Sequence, residues 1–206
     1  MTLSRLALFA MLAIAPAAKA DDTADFLKPS NWEGVDKYWK IEGDSIVADA
    51  QEDPKYNTFL VSKAKYSDFE LRFKTRLRDG VGNSGVQVRS KVTDPKLFKV
   101  AGPQVDIGKG YWGSLYGEGV GGMMKASDPK KIAAAVKEAE FNDYSIVAKG
   151  TRITIKVNAE TMVDADFPTT KDKKPLLKEG VIAFQLHGNM GPMMVEYKEI
   201  KFKKLK

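Results

Sequence analysis

Apolar and polar residues alternate along most of the chain, in short stretches separated by turn residues. The clearest stretch is Phe69–Leu77, where the odd positions are apolar apart from Thr75 and the even positions are charged. A period of two places one side of a strand on a core and the other toward solvent. Similar stretches predict strands at residues 39–47 (a hairpin), 58–62, 86–92, 104–107, 144–148, 152–157, 181–186 and 195–202.

One helix is predicted, over residues 130–139. Asp128 is a suitable N-cap, Pro129 suits the first helical position, and Ile132 and Val136 fall on one side. Many short alternating strands at close spacing are typical of an antiparallel fold whose two sheets share a core. The pattern therefore predicts an all-β jelly roll or β-sandwich with one short helix.

The first twenty residues have the form of a signal peptide. Arg5 precedes an apolar run over residues 6–15 that is too short to cross a bilayer, and Ala18-Lys19-Ala20 has the small-x-small form of a cleavage site. We expect cleavage after Ala20, a single jelly-roll domain over residues 21–206, a periplasmic or secreted location, and no membrane span in the mature chain. An uncleaved anchor is the alternative.

Composition narrows the choice of partners. Removing Arg5 and Lys19 leaves 31 basic residues (33 − 2) against 27 acidic ones, and much of the excess lies in lysines at residues 198–206. Because Tyr197, Ile200 and Phe202 alternate with those lysines, we interpret them as a solvated edge strand and expect no nucleic-acid partner. The chain has no cysteine, so neither disulfides nor a lipid-modified cysteine is available.

Candidate chemistry lies on three of the predicted strands. Each carries two polar residues at positions i and i+2, which share one side of a sheet. The pairs are Gln87 with Arg89, Gln104 with Asp106, and Gln185 with His187. Amides, an arginine and a carboxylate suit a carbohydrate ligand, whose hydroxyl groups need such partners.

The loop after the Gln104–Asp106 pair is rich in glycine and aromatic residues. Trp112 and Tyr116 are candidate surfaces for stacking on sugar rings, and Glu118 is a candidate second carboxylate. His187, the single histidine, is open to three interpretations: a general base, a metal ligand or a hydrogen-bonded surface residue. Asp106 has no acidic neighbour two residues away, so the paired carboxylates of an ordinary jelly-roll glucanase are not evident.

Several motifs occur in the order seen in the 3-keto-disaccharide hydrolase family. They are residues 57–60 (Asn-Thr-Phe-Leu), 66–71, 82–90 (Gly-Asn-Ser-Gly-Val-Gln-Val-Arg-Ser), 104–116, 140–144 and 185–188. The chain resembles this family from about residue 39 to residue 205. The resemblance implies a concanavalin-like jelly roll, an exported bacterial protein, and action on glycosides already oxidised to a ketone at C3.

The resemblance also implies roles for the candidate residues. His187 would be the base or a metal ligand, Asp106 its acid/base partner or a ligand, and Arg89 an electrostatic stabiliser. The substrate-binding set would be Gln87, Gln104, Gln185, Trp112, Tyr116 and Glu118. A divalent metal stays an open alternative, because His187 and Asp106 alone are too few ligands to define its site. A non-catalytic, lectin-like carbohydrate-binding module is the alternative function.

Overall fold

Strands make up most of the structure, as the alternating pattern predicts. The computed structural model describes residues 22–206. In chain order its strands are β1 (Trp32–Glu33), β2 (Trp39–Glu42), β3 (Ser45–Ala50), β4 (Thr58–Ser62), β5 (Phe69–Leu77), β6 (Asn83–Asp94), β7 (Lys99–Gly108), β8 (Leu115–Glu118), β9 (Gly122–Lys125), β10 (Asn142–Lys149), β11 (Arg152–Val157), β12 (Glu160–Asp166), β13 (Val181–Leu186) and β14 (Met193–Lys204). The helices are α1 (Thr23–Phe26) and α2 (Pro129–Ala135), with 3-10 turns at Pro29–Asn31 and Arg78–Gly80.

The strands form two antiparallel sheets of seven strands each. Sheet A has the order β1-β4-β13-β6-β7-β8-β9, and sheet B has the order β12-β11-β10-β5-β14-β3-β2. The fold is a two-sheet β-sandwich, so the predicted fold class is confirmed. The single-turn helix α1 was not part of that prediction.

The two sheets pack their apolar faces against one another. Phe69, Leu71 and Phe73 of β5 are at most 2% exposed, as their odd-numbered positions predict. The ring of Phe73 meets that of Phe184 from sheet A edge-on, with centroids 6.4 Å apart. Fully burying an aromatic or aliphatic side chain of this size stabilises the fold by about 1.5–3 kcal/mol. One continuous core therefore joins the sheets and fixes the positions of their outward-facing residues.

Helix α2 begins as predicted and ends early. The Asp128 side chain accepts a hydrogen bond from the Lys130 main-chain nitrogen at 2.8 Å. The helix ends at Ala135, and Val136 is already extended. The Asn142 side chain holds the chain just beyond this end, since it bonds both the main-chain nitrogen and the main-chain oxygen of Lys137 at 2.9 Å.

The lysine-rich C-terminal strand is not an edge strand, contrary to the prediction. β14 lies between β5 and β3, and the edges of sheet B are β12 and β2. Tyr197, Ile200 and Phe202 of β14 are buried in the core. Alternation correctly indicated one buried and one polar side, but an interior antiparallel strand with one solvated face has the same pattern as an edge strand.

A break in strand β6 reshapes one end of sheet A. The pairing of β6 with β7 shifts register between Gln87 and Lys91, and Arg89 within this bulge has a φ of 47°. Beyond the bulge the tip of the β6–β7 hairpin covers the outer face of sheet A. There Phe98 packs against a buried cluster that includes Phe59 and Val100. We call this tip, residues 92–100, the cap.

The predicted signal peptide lies outside the described residues. No helix within residues 22–206 is long and apolar enough to cross a membrane.

Candidate functional site

Three neighbouring strands bring the predicted glutamines together on the outer side of sheet A. Gln87 of β6 pairs with Gln104 of β7, and Ala183 of β13 lies on the other side of Gln87. Asp106 of β7 pairs with Gly85. We call the outer surface that carries Gln87, Gln104, Asp106 and Gln185 the site face. All four side chains are at most 5% exposed, so their polar groups depend on one another for hydrogen bonds.

The amides form a connected chain, which we call the amide network. Ser90 Oγ donates to Gln87 Oε1 at 2.6 Å, and Gln87 Nε2 donates to Gln104 Oε1 at 2.7 Å. Gln104 Nε2 then donates to Asp106 Oδ1 at 2.9 Å and to Gln185 Oε1 at 3.2 Å. The three glutamines follow from the alternating pattern of the sequence, but Ser90 does not. The bulge at Arg89 explains the omission, because strict alternation would put Ser90 on the core side.

Gly85 makes room for the centre of this network. A Cβ atom at Gly85 would lie 2.6 Å from both Cγ and Cδ of Gln104. Real Cβ atoms do not approach so closely, so the Gln104 amide occupies the space that any other residue at position 85 would fill. The Gly-Asn-Ser-Gly run of residues 82–85, which opens one of the shared motifs, thus supplies part of the floor of the site face.

Asp106 is the ionisable group at the end of the network. Its burial raises the pKa of the carboxyl from 3.8 to about 7, the hydrogen bond from Gln104 acts in the opposite direction, and the nearby Glu118 carboxylate raises the pKa further. The Tyr144 hydroxyl fixes the backbone here by donating to the Asp106 main-chain oxygen at 3.1 Å. A carboxyl with a pKa near 7 can take up or release a proton at neutral pH.

Tyr116 and Glu118 extend the site face along strand β8. Tyr116 pairs with Gln104, and Glu118 pairs with Gly102, so both side chains point to the same side as Gln104. Both are half-buried. Asn57 Nδ2 donates to Glu118 Oε1 at 3.3 Å, which links this strand to the loop before β4.

His187 lies at the end of β13 and is connected to Glu118 through the same asparagine. The Gly188 main-chain nitrogen donates to Asn57 Oδ1 at 3.1 Å, and His187 Nδ1 is 2.6 Å from the Gly188 main-chain oxygen. Asn57 is not among the predicted site residues, although it opens the first shared motif. Its amide joins two loops that are 131 residues apart in sequence.

Arg89 does not share the site face, contrary to the expectation from alternation. The bulge turns its side chain to the end of the sandwich, where the guanidinium bonds the main-chain oxygens of Ser67 and Gly150 and, at 2.9 Å, the Asp68 carboxylate. Burial lowers the pKa of Arg89 while Asp68 raises it. Its contacts fix a hairpin and a loop, and this correction removes it from the candidate site.

Trp112 is not a stacking surface either. Its side chain is 2% exposed and belongs to the core, where its ring lies 6.4 Å from that of Tyr144. The neighbouring Tyr111 is 51% exposed. The sequence shows only that a tyrosine and a tryptophan are adjacent in a loop. Which ring turns inward is decided by a tight turn of that loop back toward β7, where the Gly113 main-chain nitrogen donates to the Asp106 main-chain oxygen at 2.9 Å.

Within residues 22–206 no three histidine, aspartate or glutamate side chains converge as the ligands of a metal ion. The site face therefore has one buried carboxyl, a second half-buried carboxylate, a histidine at its edge and three buried amides. These groups can exchange a proton and hydrogen-bond a polyhydroxylated ligand.

Comparison with known families gives one match over most of the chain. The sequence model of the 3-keto-alpha-glucoside-1,2-lyase-like domain matches residues 24–203. A search of curated proteins gives no match.

Solved structures share the fold at low sequence identity. A protein from Parabacteroides distasonis ATCC 8503, provisionally described as a glycosyl hydrolase, is 20% identical over 85% of this chain and 94% of its own, with a TM-score of 0.61. The carbohydrate binding module CBM66 from Bacillus subtilis is 15% identical over 84% of this chain and 96% of its own, with a TM-score of 0.55. At such identities the likeness shows the fold alone, and this fold occurs in proteins described as hydrolases and in binding modules.

Proposed function

Because the chain belongs to the 3-keto-alpha-glucoside-1,2-lyase-like domain family, we propose that it cleaves glycosides whose sugar carries a ketone at C3. The ketone acidifies the proton on C2, so a base can remove that proton and leave an enolate. The enolate expels the C1 substituent, whose oxygen takes up a proton. Water then adds across the C1–C2 double bond, and the net result is hydrolysis.

The raised pKa of Asp106 is the observation that supports this reaction most directly. A carboxylate with a pKa of about 7 is a much stronger base than an exposed one, yet it is partly ionised at neutral pH. The reaction needs one such base and hydrogen-bond donors for the enolate oxygen, and it does not need two carboxylates across the scissile bond. Asp106 is accordingly the acceptor of the C2 proton.

The other groups of the site face have supporting roles in this proposal. Gln104 orients Asp106 through its Nε2 atom, Gln87 and Gln185 hold the sugar, and Tyr116 provides a half-buried ring beside Gln104. Glu118 raises the pKa of Asp106. His187 is the candidate second acid/base group, since it directly follows β13 and its ring nitrogen Nδ1 contacts the Gly188 main-chain oxygen.

The direct test measures product release from 3-keto-trehalose and methyl 3-keto-glucoside, each beside its unoxidised parent. We expect cleavage of the keto forms only, and a loss in kcat of about 10²- to 10⁴-fold in Asp106→Asn. Asp143→Asn is the matched control, because Asp143 is an exposed carboxylate on sheet B. His187→Gln is measured in parallel to test the second acid/base role.

Two results would contradict the proposal. Equal turnover of keto and unoxidised sugars would exclude the elimination route. Saturable sugar binding without turnover of any substrate would identify a carbohydrate-binding module, a function that the hydrogen-bonding amides of the site face could also serve.

A further inference from the structure

One buried hydrogen-bond donor on the site face has no partner. Gln185 is fully buried, and its Nε2 atom, which carries two hydrogens, makes no hydrogen bond within the described residues 22–206. Leaving a buried donor unsatisfied costs about 1–3 kcal/mol, so proteins seldom keep one without a reason. The oxygen of this amide already accepts a hydrogen bond from Gln104 Nε2.

The direction of the amide network follows from Asp106. An ionised carboxylate only accepts hydrogen bonds, so it requires Gln104 to present Nε2 toward it, at 2.9 Å. Gln104 Oε1 must then face Gln87, whose Nε2 donates to it, and Gln87 Oε1 receives the Ser90 hydroxyl. Turning any one amide over would put two donors or two acceptors against each other.

The same reasoning fixes the orientation of the Gln185 side-chain amide. Gln104 Nε2 uses its second hydrogen on Gln185 Oε1, so the amino group of Gln185 must point away from the network. Because Gln104 Nε2 contacts both groups, the Gln185 amide lies only two hydrogen bonds away from the Asp106 carboxyl. The ionised form of Asp106, which can accept a proton, is thus the form that holds the Gln185 donors away from the network.

We propose that Gln185 Nε2 is the donor that receives the acceptor oxygen of the ligand, and that Gln104 positions it for this task. Resting on the proposed function, this ligand oxygen is the C3 ketone oxygen, which becomes the enolate oxygen when the C2 proton leaves. A ketone oxygen can only accept hydrogen bonds, so it matches the Gln185 amino group, which can only donate them. A hydroxyl group at C3 matches it less well, because its own hydrogen finds no acceptor on this amide.

The test uses a sugar that binds but cannot be cleaved. The probe is 1,5-anhydroglucitol oxidised to the ketone at C3, which has no exocyclic leaving group at C1, and its comparison is unoxidised 1,5-anhydroglucitol. The side-chain amide signal of Gln185 is assigned in the ¹H–¹⁵N spectrum by its loss in Gln185→Glu. We expect the ketone probe to shift this signal.

Affinities give the second readout. Gln185→Glu keeps the oxygen that Gln104 contacts and removes both donors, so we expect about tenfold weaker binding of the ketone probe and a smaller change for the unoxidised sugar. Gln185→Met should have the same effect without an added acid. Asn142→Asp is the matched control, because Asn142 is a fully buried amide of sheet B and should leave the preference for the ketone unchanged.

Gln104 is tested as a positioning residue. Gln104→Met removes the link between Asp106 and Gln185, and we expect the ketone preference to fall while the Gln185 amide signal broadens or moves in the free protein. A merely structural role for Gln104 would lower stability without changing that preference.

The possible results separate this inference from the proposed function. A Gln185 signal that does not move at saturation, or an unchanged affinity in Gln185→Glu, would overturn the inference. Wild-type protein that binds the ketone through Gln185 but cleaves no 3-keto-glycoside would support the inference and overturn the proposed function. Cleavage of 3-keto-glycosides that is insensitive to Gln185→Glu would support the proposed function and overturn the inference.

Discussion

The two sheets present polar residues on their outer faces in very different ways. On sheet A the polar side chains of the site face are buried, mostly uncharged and hydrogen-bonded to one another. On sheet B the outward positions form partly exposed ion pairs, among them Arg76 with Glu196 at 2.5 Å and Lys74 with Glu199 at 2.7 Å. We call the latter surface the charged face.

This difference shows what distinguishes a site from an ordinary polar surface. Exposed ion pairs gain little energy, because water and salt screen them and long side chains lose freedom. Buried amides must find partners within the protein, so they acquire a fixed direction and stiffness. Polar residues on alternate positions are therefore uninformative by themselves, whereas amides facing each other across neighbouring strands indicate a built site.

The largest expected effect is a pH dependence that belongs to the site face. The pKa of Asp106 is raised from 3.8 to about 7 by burial, so the native state holds this proton more tightly than the unfolded state. Its contribution to stability is complete below about pH 4 and is lost as the pH rises toward 7. At 1.36 kcal/mol per pKa unit the loss is up to about 4 kcal/mol.

Urea unfolding of wild type and Asp106→Asn from pH 4 to pH 8 measures this contribution. The free energy of unfolding of the wild type should fall relative to that of the variant over this range. Parallel curves for the two proteins would show that the pKa of Asp106 is not raised in the native state. The site face would then not differ from the charged face in the ionisation of its carboxyl group.

The second effect concerns the space beneath the amide network. Gly85→Ala introduces a Cβ atom 2.6 Å from Cγ and Cδ of Gln104, so Gln104 must leave its position. We expect at least a hundredfold loss of kcat/KM and a loss of stability of about 1–3 kcal/mol from overpacking. Steady-state kinetics and thermal unfolding provide the measurements. Full activity in this variant would mean that the network does not need its present geometry.

The smallest effect is expected on the charged face. Arg76→Gln removes the ion pair with Glu196. The Lys198 ammonium, which lies 3.8 Å from the centroid of the Phe141 ring, continues to cover that ring. The free energy of unfolding should fall by less than about 1 kcal/mol, and less at 0.5 M salt than at low salt. Activity should not change. A larger effect would show that the charged face is more than a solvated surface.

The sandwich could be predicted from the sequence because the alternation of apolar and polar residues within each strand is a local pattern. Phe69–Leu77 alternates without interruption, and the structure places its apolar residues in the core. The three glutamines followed from the same rule, since each lies on a regular part of its strand. For these residues the period of two and the type of side chain were sufficient to predict on which side of the sheet they lie.

The failures arise where the backbone departs from that period. Arg89 lies in a bulge with a positive φ, and no alternation rule predicts the turn of its side chain away from Gln87. Trp112 turns inward because its loop returns tightly to β7, which depends on contacts across the fold. The position of β14 inside sheet B is likewise a matter of topology, since two of its neighbours are more than a hundred residues earlier in the chain.

The cap also limits the directions from which a molecule can reach the site face. Phe98 and Val100 pack on the outer face of sheet A beside Ala183, the residue that adjoins Gln87. Because these apolar side chains occupy the surface next to Gln87, a ligand has to approach the site face from the opposite side, where Tyr116 and Glu118 of β8 lie.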